Sequence, residues 1–139
     1  RPPRRGFSFV IRLLHKGGQG RGQAMLRFTA SELGISQGTA QIVSDFDTNG
    51  PFWTGEGERE SRQHIAFPDR FHLPPAVQLG VVMWDSDGGT NQRGDVTAEN
   101  ITGRGFDLVF KTWGDSRIGR LRVQWTAIGP LPDDSDFIL

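Results

Sequence analysis

Residues Asp45 to Gly50, with Glu56 downstream, have the residue types of a calcium-binding loop. Acids at the first, third and twelfth positions and a glycine at the sixth allow such a loop to surround Ca²⁺ with oxygen ligands. Loops of this kind lie between two amphipathic helices, whereas the flanking residues here alternate in the manner of strands. We therefore expect a polar turn without a metal, and the weaker alternative is a calcium site made by Asp45, Asp47, Asn49 and Glu56.

No arrangement of side chains in the sequence matches a common catalytic motif. The chain has three histidines and no cysteine, and it contains neither Gly-x-Ser-x-Gly nor His-Glu-x-x-His. Two carboxylates can form a glycosidase pair, but carboxylates are common on any surface, so Glu56, Glu58 and Asp115 are weak candidates for one. We predict that the protein is not an enzyme and needs no cofactor.

The four tryptophans of the sequence accompany acids and arginines near the ends of predicted strands. Sugar recognition uses both kinds of group, because charged planar side chains make paired hydrogen bonds to neighbouring hydroxyls and an aromatic ring covers the apolar C–H face of the sugar. Tryptophans in a small β-domain are also common core residues. Trp125, which shares a strand face with Leu121 and Val123, is predicted to be a core residue.

The elements that would position these residues are predicted to be strands. From Leu33 onward, apolar residues alternate with polar ones in six short runs bounded by Gly, Pro, Asn or Asp. In the third run, Val77 to Met83 are predicted to place alternate residues on one core-facing side. No helical periodicity separates the runs, so we predict an all-β fold, a six-stranded antiparallel β-sandwich. The runs are Ile35 to Phe46, Gln63 to Phe67, Val77 to Trp84, Asp95 to Ile101, Phe106 to Trp113 and Ile118 to Ile128.

Length and charge indicate one domain with a basic N-terminal segment. The 139 residues have room for a single core, and 16 basic residues balance 16 acidic ones. Six of the basic residues and none of the acidic ones lie in residues 1–24. We interpret residues 1–24 as a flexible leader or an upstream segment without function, residues 25–129 as the sandwich and residues 130–139 as an acidic tail. No nucleic-acid partner and no membrane span are expected, and the cellular location stays open.

Several short motifs follow one another in a characteristic order and spacing. They are Pro74-Pro75-Ala76-Val77, Asp85-Ser86-Asp87, Asn91-Gln92-Arg93, Glu99-Asn100-Ile101-Thr102, Gly105-Phe106, Thr112-Trp113-Gly114-Asp115-Ser116-Arg117 and Val123-Gln124-Trp125. Together they resemble the H-type lectin domain, found in snail agglutinins and in the C-terminal part of the discoidins, over about Gly34 to Gly129. The resemblance implies a homotrimer of six-stranded sandwiches that binds glycans of the galactose or N-acetylgalactosamine type in clefts between subunits.

The resemblance also implies which residues hold the sugar. Arg93 would bond sugar hydroxyls from one subunit, with Asn91 beside it and Glu56 at or next to the position of a sugar-binding aspartate. The adjoining subunit would contribute Trp113, Asp115 and Arg117.

Two glycines depart from the family pattern. Gly114 stands in place of a polar or aromatic side chain, and Gly119 in place of an aromatic one that helps to enclose the sugar. Because this opens space, a larger or acidic glycan could fit beside Arg93 and Arg117. The alternative to sugar binding is a structural or assembly module of a larger particle or surface complex.

Overall fold

The computed structural model describes residues 9–15 and 23–133. Six antiparallel strands form two three-stranded sheets that pack face to face, which confirms the predicted all-β sandwich. One sheet has the strand order β2-β7-β4, and the other has the order β5-β6-β3 with β1 added beside β5. The elements are β1 (Phe9–His15), β2 (Leu33–Ser44), α1 (Pro51–Thr54), β3 (Arg59–Ala66), β4 (Ala76–Ser86), β5 (Gln92–Glu99), β6 (Gly105–Thr112) and β7 (Ile118–Pro130).

Strand β1 runs parallel to β5 along the edge of its sheet, from Phe9 opposite Gln92 to His15 opposite Ala98. The sequence analysis did not predict this strand and included it in the basic leader. Two parallel strands are not connected by a tight turn. The sequence next to β1 therefore contains no hairpin turn that would indicate a strand there. Residues 1–8, 16–22 and 134–139 lie outside the described residues, and the limits of the leader and of the acidic tail stay predictions.

The core lies between the two sheets and is formed mainly by their central strands. β6 fully buries Phe106, Leu108 and Phe110, and β7 fully buries Leu121 and Val123. Facing sheets bury alternate residues of each strand, which explains why the period-2 pattern predicted these strands well. The connections between strands add three aromatic side chains to the same core, namely Phe52, Phe67 and Phe71.

A β-bulge in β4 changes one predicted face. The register against β7 shifts between Val81 and Met83, so that Met83 pairs with exposed Arg122. Trp84 then pairs with buried Leu121 and packs against the core. The predicted core position of Met83 is therefore wrong, because the extra residue of the bulge exchanges the two faces of the strand beyond it.

Trp125 packs against the core, as predicted, and its ring crosses the backbone of β2 at Gly38. The ring also meets Phe106 edge-on, with 6.0 Å between the ring centroids. A Cβ atom at position 38 would overlap the indole ring. A glycine is needed there because only a residue without a side chain lets the ring lie this close to the strand.

We expect Gly38→Ala to lower the free energy of unfolding by about 1–3 kcal/mol, since the ring must move out of a packed core. Gly80→Ala in the same sheet is the matched control, because its Cβ would lie in ordinary contact, 3.5 Å from Gln124. Urea unfolding of both variants gives the comparison. Equal stabilities would show that Trp125 can be displaced without cost.

Candidate functional site

An ion pair between Arg93 and Asp115 lies at the centre of the predicted site. Nη1 of Arg93 donates to Oδ1 of Asp115 at 2.6 Å. Asn91 adds three hydrogen bonds to the same carboxylate, one from its backbone N–H at 3.3 Å and two from its side-chain amide at 3.3 Å and 3.5 Å. A single chain thus brings together Arg93 and Asn91, expected from one subunit, and Asp115, expected from the next.

These contacts lower the pKa of the Asp115 carboxyl. The backbone N–H of Asn91 is the main cause, and the side chains of Asn91 and Arg93 contribute in the same direction. Hydrogen bonds to the ionised form favour that form. The carboxylate therefore keeps its charge, and the ion pair persists, to a lower pH than it would for an aspartate without these hydrogen bonds.

Two buried hydroxyls hold the backbone of Arg93 in place. Arg93 lies beyond the last residue pair that joins β5 to β6, Asp95 opposite Lys111. There, Ser116 Oγ accepts a hydrogen bond from the Arg93 N–H at 2.9 Å, and Thr112 Oγ1 donates to the Arg93 carbonyl at 2.6 Å. On the β6 side of β5, the hydroxyls take the place of the missing strand partner, so the guanidinium extends from a fixed backbone.

Gly114 allows Arg93 to approach Asp115. Its φ of +67° is in the left-handed region, and a Cβ atom there would lie 2.6 Å from Nη1 of Arg93. A side chain at this position would compete with the guanidinium for the same space. The departure of Gly114 from the family pattern thus has a local structural reason.

The segment that contains Glu56 is joined to the same loop. The Gly57 N–H donates to the Gly114 carbonyl at 2.9 Å, and Arg59 donates to that carbonyl at 3.2 Å. Partial burial lowers the pKa of Arg59, and the nearby charge of Glu56 partly offsets this. The Glu56 side chain is exposed beside the Gly114 loop.

The two remaining predicted residues lie at the ends of this loop. Trp113 is half-buried and lines a pocket of about 580 Å³. Arg117 is exposed, and its carbonyl accepts a hydrogen bond from the Asp87 N–H at 3.0 Å. The role of all six predicted residues in holding a sugar stays a prediction.

The sequence analysis missed an aromatic pair near Gly119. Phe46 and Trp53 meet edge-on with 5.1 Å between ring centroids, and Phe46 is 49% exposed. A Cβ atom at position 119 would lie 3.2 Å from that of Phe46. Phe46, from a distant part of the chain, thus places an aromatic ring beside Gly119, which stands where the family pattern has an aromatic residue. Phe46 ends an apolar run, and this was the only signal in the sequence for an aromatic surface here.

The calcium-loop pattern forms a different structure. Asp45 to Gly50 connect β2 to the single-turn helix α1, Glu56 lies beyond that helix, and Asp45 Oδ2 accepts a hydrogen bond from the Phe52 N–H at 2.8 Å. The Gly50 N–H donates to the Asp45 carbonyl at 3.0 Å. In residues 23–133, no three His, Cys, Asp or Glu side chains are grouped so that they could hold a metal ion.

Comparison with known proteins identifies the family. The H-type lectin domain model matches residues 62–128. ATP synthase subunits region ORF 7 of Fuscovulum blasticum is 52% identical over 113 residues, which are 81% of this chain and 97% of that protein. Discoidin-2 of Dictyostelium discoideum is 36% identical over 76 residues, which are 54% of this chain and 30% of that protein.

Solved structures agree with the family match. Wild-type discoidin II from Dictyostelium discoideum superposes with a TM-score of 0.61 at 29% identity, over 71% of this chain and 37% of that one. The chain belongs to the H-type lectin family, a family of non-enzymatic proteins, and this membership suggests carbohydrate binding. It spans two fifths or less of the length of the discoidins that it matches. Within the described part of the chain, no helix is sufficiently long and apolar to span a bilayer.

We expect Gly114→Ala to separate Arg93 from Asp115, since the added methyl group would lie 2.6 Å from Nη1 of Arg93 and force the guanidinium to move. The pKa of Asp115 should then rise in part, because the Arg93 contact is lost while the hydrogen bonds from Asn91, the main cause of the lowering, remain; NMR titration of the carboxyl carbon measures this rise. Gly57→Ala is the matched control, because Gly57 also has a positive φ, +78°, but nothing lies within 4 Å of its Cβ position. An Asp115 titration that is unchanged, or equally shifted in both variants, would contradict this account.

Proposed function

We propose that the protein binds glycans of the galactose or N-acetylgalactosamine type, without enzymatic activity, in clefts between the subunits of a homotrimer. The observation that carries the proposal is the cluster of Arg93, Asn91 and Asp115 at the loop that follows β6. It combines a guanidinium, an amide and a carboxylate, whose hydrogen-bonding groups match adjacent sugar hydroxyls. Its backbone is held by Ser116 and Thr112, so the groups are preorganised before a ligand arrives.

Arg93 is the residue best placed to bond the sugar. Its side chain is 29% exposed, and one of its terminal nitrogens faces Asp115. A guanidinium has five N–H donors, so this contact leaves donors for hydroxyls while it fixes the orientation of the group. Trp113, and the pair of Phe46 with Trp53, offer aromatic surface for the apolar face of a sugar.

The outer face of the β2-β7-β4 sheet supports assembly with further copies of the chain. Three successive cross-strand rows on this face carry no charged residue. The opposite sheet instead carries ion pairs along its outer face, among them Arg62 with Asp107 and Lys111 with Glu60. Depletion of charge marks the centre of protein interfaces. The rows are Ile35-Ile128-Ala76, Gln37-Thr126-Gln78 and Thr39-Gln124-Gly80.

We expect Arg93→Ala to weaken the binding of N-acetylgalactosamine by about ten- to a hundredfold, or roughly 1.5–3 kcal/mol, because a charge-assisted hydrogen bond is lost. Arg93→Lys should restore little, since an ammonium group cannot reproduce the paired geometry. Titration calorimetry measures the affinity, and thermal melting checks the fold.

Arg104→Ala is the matched control, because this exposed arginine lies in the turn before β6, at the opposite end of that strand from the loop that contains Asp115. It should bind as the parent does. Sugar binding unchanged in Arg93→Ala would refute the assigned site. A trimer that binds no member of a glycan array would instead favour the assembly-module alternative.

We expect light scattering to give the mass of three 15.4 kDa chains, and Gln124→Glu to reduce it toward that of one. The substitution is isosteric and introduces a charge on β7, the central strand of the uncharged face, where burial in an interface would be costly. Gln63→Glu, at an exposed position of β3 in the other sheet, is the control and should leave the mass unchanged. A monomeric parent protein would remove the basis for shared clefts.

A further inference from the structure

The strand β2 lies at the edge of its sheet, where it pairs with β7 alone. Its 12 residues, Leu33–Ser44, include no charged residue and no proline. Proteins protect free strand edges with charges, prolines, bulges or a covering segment, because the unpaired N–H and C=O groups can pair with another strand. The register of β2 is regular from Leu33 to Gln41. Over most of its length, this edge therefore has none of the usual protection.

The edges of β3, β4 and β5 are each protected. β3 carries the charged residues Arg59, Glu60 and Arg62, and His64 follows on the same strand. The register of β4 against β7 shifts at two places, so its edge is irregular. The edge of β5 is covered by β1. By contrast, β2 offers a long, regular and uncharged edge to a further strand.

The hydrogen-bond pattern shows which main-chain groups of β2 point away from β7. The Leu131 N–H donates to the Glu32 carbonyl at 3.0 Å, in the same register that places Leu33 opposite Pro130. In an antiparallel pair of strands, hydrogen-bonded residue pairs alternate with pairs that are not hydrogen-bonded. Alternate residues of β2 therefore direct their N–H and C=O groups outward from the sheet edge. They are Leu33, Ile35, Gln37, Thr39 and Gln41.

These outward groups are open to a partner strand. Within residues 9–15 and 23–133, none of them has a hydrogen-bond partner. Only the next carbonyl along the strand, that of Ile42, is bonded, because it accepts from Ser61 Oγ at 2.7 Å. At the other end of β2, the Leu33 and Ile35 side chains are 57% and 65% exposed. The edge is thus closed by β3 only at its far end.

We propose that the free edge of β2 pairs with the same edge of a second copy of the chain, antiparallel and about a twofold axis at Gln37. This register gives each outward residue a partner. Gln37 lies opposite its own copy, Ile35 opposite Thr39, and Leu33 opposite Gln41. No like charges meet, because the strand has none, and paired β-branched side chains stabilise a sheet. The β2-β7-β4 sheets of the two copies then form one continuous sheet.

The edge contact differs from the proposed trimer contact. It uses main-chain groups at the edge of the sheet, whereas the trimer contact uses side chains on the outer face, so neither sugar binding nor the trimer is needed for it. Because one strand pair buries little surface, we expect a dissociation constant of about 0.1–1 mM. The mass of the protein in dilute solution should therefore double only when the protein is concentrated.

The chain contains no cysteine, so a single introduced thiol reports which surfaces meet. In Gln37→Cys, two thiols meet at the axis, where the Cα atoms are about 5.5 Å apart and a disulfide can form. Gln78→Cys is the matched control, because this exposed residue lies in the same cross-strand row and on the same face, but on β4. On oxidation, Gln37→Cys should form covalent dimers at least about tenfold faster, as measured by non-reducing electrophoresis.

Gln37→Pro tests the main-chain pairing directly. It removes an N–H that points away from β7, so the chain's own sheet keeps its hydrogen bonds. Sedimentation should show that the concentrated variant keeps the mass that it has in dilute solution. Gln37→Ala is the control, since it loses the same side chain but keeps the N–H, and its mass should still double. Thermal melting checks the fold.

Gln124→Glu separates the edge contact from the trimer contact. Combined with Gln37→Cys, it should lower the mass and leave the cross-link intact, and a loss of the cross-link would place the contact on the outer face instead. A missing trimer with the cross-link retained would refute the proposed trimer alone.

The edge pairing is overturned if Gln37→Cys cross-links no faster than Gln78→Cys, or if the mass of the parent protein does not double on concentration. A synthetic peptide with the sequence of residues 33–44 should suppress the doubling. If this peptide bound but the copies of the chain did not pair, the edge would take a strand of another protein, and the second-copy proposal would be wrong.

Discussion

Burial of the inward faces of β6 and β7 is the constraint on which the rest of the structure depends. Both strands are central in their sheets and present fully buried side chains to each other across the sandwich, with Phe110 and Leu121 among them. A slip of either strand by one residue would turn these side chains to the outer face. The register of the core therefore also determines where β6 ends and where the loop containing Asp115 begins.

The inner faces of both sheets are apolar. The two sheets differ in the residues of their outer faces. The β5-β6-β3 sheet carries a charged network in which Arg62 contacts Glu99 and Asp107. The pKa of Asp107 is lowered, first by the Asn100 amide and then by His64. The β2-β7-β4 sheet carries Gln, Thr and Ile at its centre. The outer face of one sheet thus carries ion pairs, whereas that of the other has three cross-strand rows without a charged residue.

The fold could be predicted from the sequence because apolar and polar residues alternate along a strand that has one buried face and one exposed face. All six predicted strands are present, and the resemblance identified the family. Features that depend on distant partners were not predictable. The bulge before Met83 exchanges the faces of β4, Phe46 reaches Gly119 only through the fold, and β1 pairs with β5 without a turn between them. The direct pairing of Arg93 with Asp115 was missed for the same reason.

The hydroxyls of Thr112 and Ser116 flank three residues, Trp113 to Asp115, that form the end of the loop. Both hydroxyls are buried and bond the backbone of β5: Ser116 Oγ also donates to the Asn91 carbonyl at 2.7 Å. The anchoring thus uses only the residues on either side and main-chain atoms of the neighbouring strand. The side chains of Trp113 and Asp115 take no part in these two anchors, so the groups that the loop end presents and the framework that holds the loop are supplied by different residues.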